Sequence, residues 1–125
     1  MSGGEMRSGG PFQGMVPKRL RRLEAHPGDA GVQVFVARSF RARLMGLALL
    51  RDLPLECLLL IPRCSSVHTF GMRFPLEIRF LNERGRVIRC ESQVSAGRML
   101  RQPGAAAVLE WRSVNYAEPT SERSR

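Results

Sequence analysis

Between Val67 and Asn82 the chain alternates residue by residue. Every even position from 68 to 80 is His68, Phe70, Met72, Phe74, Leu76, Ile78 or Phe80, while the odd positions hold Thr69, Gly71, Arg73, Pro75, Glu77 and Arg79. Side chains on a strand point alternately to opposite faces, so this pattern predicts one apolar face and one polar or small face. Pro75 has no amide hydrogen to give a ladder, which predicts a bend, bulge or edge there. Two strand segments hinged at Pro75 follow. Asn82-Glu83-Arg84-Gly85 then has hairpin chemistry, with Gly85 suited to a left-handed turn position. Arg86 to Ser92 is the expected return strand, with Ile88 and Cys90 on one face.

Upstream, Gly31 to Ala37 sets Val32, Val34 and Val36 on one side and predicts a first strand. Ser39 is placed to cap a short helix whose Phe40, Leu44 and Leu47 fall at i, i+4 and i+7. Gly46 weakens that helix by about 1 kcal/mol relative to alanine, and Pro54 sets its limit by disfavouring helical geometry at Leu53. Cys57 to Ile61 is a continuous apolar run between two prolines, which reads as a strand buried on both faces. Ala105 to Trp111 is the last strand candidate. Without a repeated strand–helix alternation, a doubly wound parallel sheet does not fit. The pattern predicts an all-β, mainly antiparallel sandwich or small barrel with one short helix near its start.

Composition sets the boundaries. The 125 residues suit one domain. Residues 1–30 are glycine-rich at first and lack apolar periodicity, so they read as a disordered basic tail. The domain is expected over 31–111, with 112–125 as a disordered or divergent C-terminal tail. No stretch reaches the roughly 18 apolar residues of a membrane-spanning helix, and the N-terminus lacks the layout of an export signal. The expected location is cytoplasmic. The net charge of +9 is almost entirely arginine and spread along the chain. Lys18 to Arg22 forms the one basic cluster, for which a solvated tail is the plainer reading and nucleic-acid contact the sharper one. The phenylalanines share an apolar face and are not interleaved with the basic residues, which argues against nucleic acid.

The string Cys64-Ser65-Ser66-Val67-His68-Thr69-Phe70-Gly71-Met72-Arg73-Phe74-Pro75-Leu76-Glu77-Ile78 resembles the hallmark of the family called domain of unknown function 192. Ala37 to Leu47, the Phe80 to Val87 hairpin and Gly104 to Glu110 agree with it in order. The resemblance spans roughly residues 32–111. It implies a compact β domain and no assigned activity. Two departures are visible: Glu77 and Asn82 stand where aspartate is usual, and nothing after Glu110 matches the family's closing strand. Loss of that strand would leave a sheet edge open.

Candidate chemistry is sparse. His68 is the sole histidine within 31–111 and could act as a base or ligand, although a hydrogen-bonded histidine at a core boundary is the plainer reading. Cys64 and His68 on one strand would stand about 13 Å apart, too far to share an ion, so no metal is expected. Arg73 and Glu77 share the odd face and could line a pocket mouth or simply pair with each other. Gly71 permits close approach of a backbone or ligand. Cys57, Cys64 and Cys90 show no CxxC pair and read as reduced thiols. No phosphate-cradling loop or nucleophile elbow is present, and no cofactor is expected. The leading expectation is a non-catalytic β domain that binds a small ligand or a protein partner around His68, Thr69, Gly71, Arg73 and Glu77. The alternatives are a small hydrolase using His68 with Glu77 or Cys64, and an electrostatic nucleic-acid binder. The oligomeric state is not encoded in any of these features.

Overall fold

The computed structural model describes residues 16–114. Among the described residues, eight strands form two sheets. In chain order they are β1 (Glu24–Pro27), β2 (Gln33–Val36), β3 (Cys57–Pro62), β4 (Ser66–His68), β5 (Leu76–Leu81), β6 (Val87–Val94), β7 (Met99–Arg101) and β8 (Ala107–Arg112). The α-helices among the described residues are α1 (Lys18–Arg21) and α2 (Phe40–Met45), with a 3-10 turn at Asp29–Gly31. The large sheet runs β1-β2-β3-β8-β5-β6, and β4 pairs with β7 in a separate two-stranded sheet. All pairings are antiparallel except β2 with β3, which α2 joins as a crossover. Among the described residues the sheet does not close, since β1 and β6 are its two edges. The expected mainly antiparallel β class holds, and the described strands form open sheets instead of a closed barrel.

The core lies on one face of the large sheet. Leu76, Ile78 and Phe80 of β5 are fully buried, and Leu59, Ile61 and Val108 join them from β3 and β8. Burial of each such side chain contributes about 1.5–3 kcal/mol. The apolar run of β3 is not buried on both faces as expected: Cys57, Leu59 and Ile61 are buried, while Leu58, Leu60 and Pro62 are only half-buried. The alternation is that of a half-buried strand.

Local chemistry explains several elements. The Ser39 hydroxyl accepts the Ala42 amide at 3.0 Å and caps α2. The helix stops at Met45 because Gly46 turns into a positive-φ conformation. Leu47 therefore leaves the helical face and is buried, while Leu44 is 53% exposed, unlike the shared apolar stripe expected of them. At the hairpin, the Asn82 Oδ1 accepts the amides of Arg84 and Arg86 at 2.9 Å each. Gly85 sits at φ +78° and donates to the Asn82 carbonyl. The return strand is an edge, and Ile88 and Cys90 face solvent instead of a core.

The folded region starts before residue 31. Leu20 of α1 is 1% exposed, β1 pairs along β2, and Arg19 donates to the carbonyls of Gly46 at 2.9 Å and Ala48 at 2.8 Å. Part of the basic cluster is thus consumed inside the fold. At the other end β8 continues through Arg112, and buried Ser113 donates its amide to the Pro75 carbonyl. The expectations for residues 1–15 and 115–125, including a closing strand, lie outside the described residues.

Candidate functional site

The even-position face expected to run from His68 to Phe80 changes phase in the structure. Val67 of β4 and Thr69 just after it are buried, whereas from Met72 and Phe74 into β5 the buried residues fall at even numbers. The switch is the turn Thr69–Met72, in which the Met72 amide bonds back to the Thr69 carbonyl at 3.2 Å and Gly71 takes φ +80°. A glycine at the third position of such a turn has no Cβ penalty. Phe70, at the turn apex, is 52% exposed.

Thr69 is completely buried and fully paired. Its hydroxyl donates to the Ser95 carbonyl and accepts the Arg98 amide, both at 2.8 Å. Its own amide and carbonyl bond to Arg98 and Gly97. His68 is tied as thoroughly. Its Nδ1 accepts the Phe70 amide at 3.2 Å and its Nε2 donates to the Leu44 carbonyl at 3.2 Å, with the ring stacked on Phe70. With Nδ1 accepting and Nε2 donating, that pairing leaves no free lone pair for a metal or an abstracted proton.

Arg73 is exposed and forms no ion pair with Glu77 among the described residues. Glu77 instead leaves the outer face of β5, on the side opposite Ile78, and gathers Ser92, the Gln93 amide, Ser113 and Arg79 around its carboxylate. Burial opposes its ionisation, but these hydrogen bonds together outweigh that and hold its pKa below the usual carboxylate value. Glu77 and His68 are not brought together. Cys64 and His68 border one cavity without bonding to each other; the Cys64 thiol donates to the Ser66 carbonyl at 3.1 Å. Burial pushes Cys57 up to about 11, and Cys90 is exposed on β6. Among the described residues no three His, Cys, Asp or Glu side chains converge as metal ligands would.

The concave feature beside this region is a cavity of about 490 Å³. Its walls are the end of α2 (Arg43 to Leu47), the 63–68 segment, Ile61, Met99 and Glu110. Arg63 adopts φ +52°, and its carbonyl accepts Arg43 Nη2 at 2.6 Å. The Arg43 Nε–H is buried without an acceptor among the described residues. Exposed Leu44 and Met99 give the mouth an apolar rim.

Glu110 is the residue that the sequence reading passed over. It is 3% exposed on the core face of β8, opposite Leu59 and Ile78 in the register. No described group donates a hydrogen bond to its carboxyl, and a Cβ on Gly46 would stand 3.4 Å from its Oε1. Desolvation pushes its pKa up to about 7, because an unpaired charge among apolar neighbours costs several kcal/mol. The available signal was its phase, since Glu110 shares the parity of Val108 within an otherwise apolar strand.

Fold and site together define a small mixed-sheet domain, mainly antiparallel, with a buried carboxyl at the base of a solvent-connected cavity. The chain belongs to the DUF192 family, described as "Uncharacterized ACR", which matches residues 23–118. It is similar in fold to a protein of unknown function from Novosphingobium aromaticivorans, at 17% identity and TM-score 0.60, covering 86% of this chain and 94% of that one. A putative transcription regulator from Sinorhizobium meliloti is also similar, at 17% identity and TM-score 0.61, covering 71% and 78%. No curated protein matches. Among the described residues no helix is long and apolar enough to cross a membrane.

Proposed function

We propose that this domain is a non-catalytic binding module that takes a small ligand in the cavity between α2 and the 63–68 segment. The observation that supports the reading is the cavity itself, about 490 Å³, with the half-buried Arg43 and the buried Glu110 among its lining residues. Natural ligand sites have this size and this make-up, apolar surface with a few polar groups left for the guest. The apolar mouth would also seat a side chain of a protein partner. Both His68 nitrogens are occupied by backbone groups, which favours binding over acid–base catalysis.

The site moves away from part of the expected set. His68 borders the cavity, Thr69 and Gly71 build the turn beside it, and Arg73 and Glu77 line none of it. Native mass spectrometry of the purified protein, with thermal-shift screening of small molecules, tests the reading. Ser65 is exposed and borders the cavity, so Ser65→Trp should abolish ligand adducts and shifts while the domain stays folded. Arg73→Ala should leave them intact. Loss of binding in Arg73→Ala with retention in Ser65→Trp would relocate the site to the 71–77 turn.

A further inference from the structure

The large sheet has a second face, turned away from the core. Both helices and the β4–β7 pair bury their side chains on the core side, where Leu20, Ala42, Val67 and Leu100 pack with Leu59 and Ile78. Residues paired across neighbouring strands share a face. The register therefore sets Val34 with Leu58, Leu60 with Leu109, and Arg79 and Glu77 with Leu109 and Trp111 on the other side. All of these are half-buried and keep contact with solvent among the described residues. A sheet face that meets water ordinarily carries polar side chains at its outward positions. Here β2, β3 and β8 turn valine, leucine and tryptophan outward, which is the origin of the unbroken apolar run in β3. Polar residues flank this stripe on both sides, Glu24 and His26 on β1 and Glu77 and Arg79 on β5. An apolar centre within a polar rim is the layout of a protein interface.

We propose that a second copy of this chain covers this face, the two sheets packing face to face about a two-fold axis near Leu60 and Leu109. The sheet order suits that placement. β3 and β8 are the two middle strands of six, so a two-fold axis running along them lays the apolar stripe of one copy on that of the other. Strands about 4.8 Å apart and about six residues long make a face of about 29 by 20 Å. Two such faces bury on the order of 1,200 Å², which reaches the range of specific interfaces. The chain's own end segments have little to cover the stripe with. Residues 115–125 hold one large apolar side chain, Tyr116, and residues 1–15 hold Met1, Met6, Phe12 and Met15 among glycines. The face lies across the sheet from the cavity, so the inference stands apart from the ligand reading above.

Sedimentation velocity of the full chain from about 1 to about 200 µM tests the proposal, and Trp111, the chain's one tryptophan, reports on the face itself. The chain should sediment as a dimer at the upper end. Dilution should dissociate it, with Trp111 emission moving to the red and acrylamide quenching rising over the same range. Leu60→Glu should weaken the dimer at least about thirty-fold and leave the circular dichroism unchanged. Leu109→Thr keeps a strand-forming residue, so it should weaken the dimer in the same direction even where the charged variant does not fold. Ile88→Glu, on the β6 edge, should leave the dimer intact. A monomer at every concentration would overturn the proposal, and a quench-resistant Trp111 in that monomer would give the face to the chain's own end segments. A dimer lost in Ile88→Glu and kept in Leu60→Glu and Leu109→Thr would overturn it as well, by placing the contact at the sheet edge.

Discussion

At the residue scale, Thr69 and Phe70 exchange the roles that alternation gives them. The buried threonine's hydroxyl satisfies the Ser95 carbonyl and the Arg98 amide, and the phenylalanine stands at an exposed turn. Thr69→Val should therefore cost about 2–4 kcal/mol by stranding the Ser95 carbonyl and the Arg98 amide. Phe70→Ser should change stability by less than about 1 kcal/mol. Urea midpoints of the two variants check the order, which a continuous apolar face would reverse. Glu110 makes a second prediction. Its folded pKa, about 7, lies above the ordinary value of 4.5. Protonation therefore favours the folded state, and its contribution is complete below about pH 4.5 and lost as pH rises through about 7. The loss amounts to at most ~3 kcal/mol. Melting curves from pH 5 to 8 should fall for the natural sequence and flatten for Glu110→Gln.

At the element scale, the pieces that the sequence reading placed well are those held by neighbours in the chain. The Ser39 cap and the Asn82–Gly85 hairpin each depend on bonds spanning a few residues. Gly85→Ala should destabilise the hairpin by about 1–2 kcal/mol, the cost of a left-handed alanine, measurable by thermal denaturation. Strand β5 is joined to β6 and to the end of β8 by Glu77, which accepts from Ser92, Gln93 and Ser113. Its depressed pKa gives the opposite sign to Glu110. Stability from Glu77 is present above the unfolded carboxylate range and lost as pH falls through its lower folded value. Acid titration followed by circular dichroism should show an unfolding transition that Glu77→Gln weakens. That variant should also lose about 2 kcal/mol at neutral pH.

At the scale of the whole molecule, the cavity exists because α2 ends at Gly46 beside Glu110 while the 63–68 segment turns back at Arg63. Arg19 braces that end of α2 from α1, so residues treated as a tail in the sequence reading support the cavity wall. Leu20→Ala should therefore cost about 2–4 kcal/mol in denaturant unfolding, whereas a substitution in a free tail would be silent. The sheet order places β8, late in the chain, between β3 and β5. That single insertion carries Glu110 into the middle of the core face.

Some of this was decided by the sequence alone. Period-two patterning identified the β class and the buried face from Met72 to Phe80, and turn chemistry identified the hairpin at Gly85, whereas the hinge expected at Pro75 falls instead at the Thr69–Met72 turn. These signals are local, since side-chain alternation and backbone preference act over a few residues. The tertiary structure decided the phase change at Gly71, the inward placement of Thr69, the pairing of both His68 nitrogens and the isolation of Glu110. Each depends on groups distant in the chain: Ser95 and Arg98 for Thr69, Leu44 for His68, and Leu59 and Ile78 for Glu110. A carboxyl's protonation is set by what surrounds it in space, and those surroundings exist only once β8 has entered the sheet.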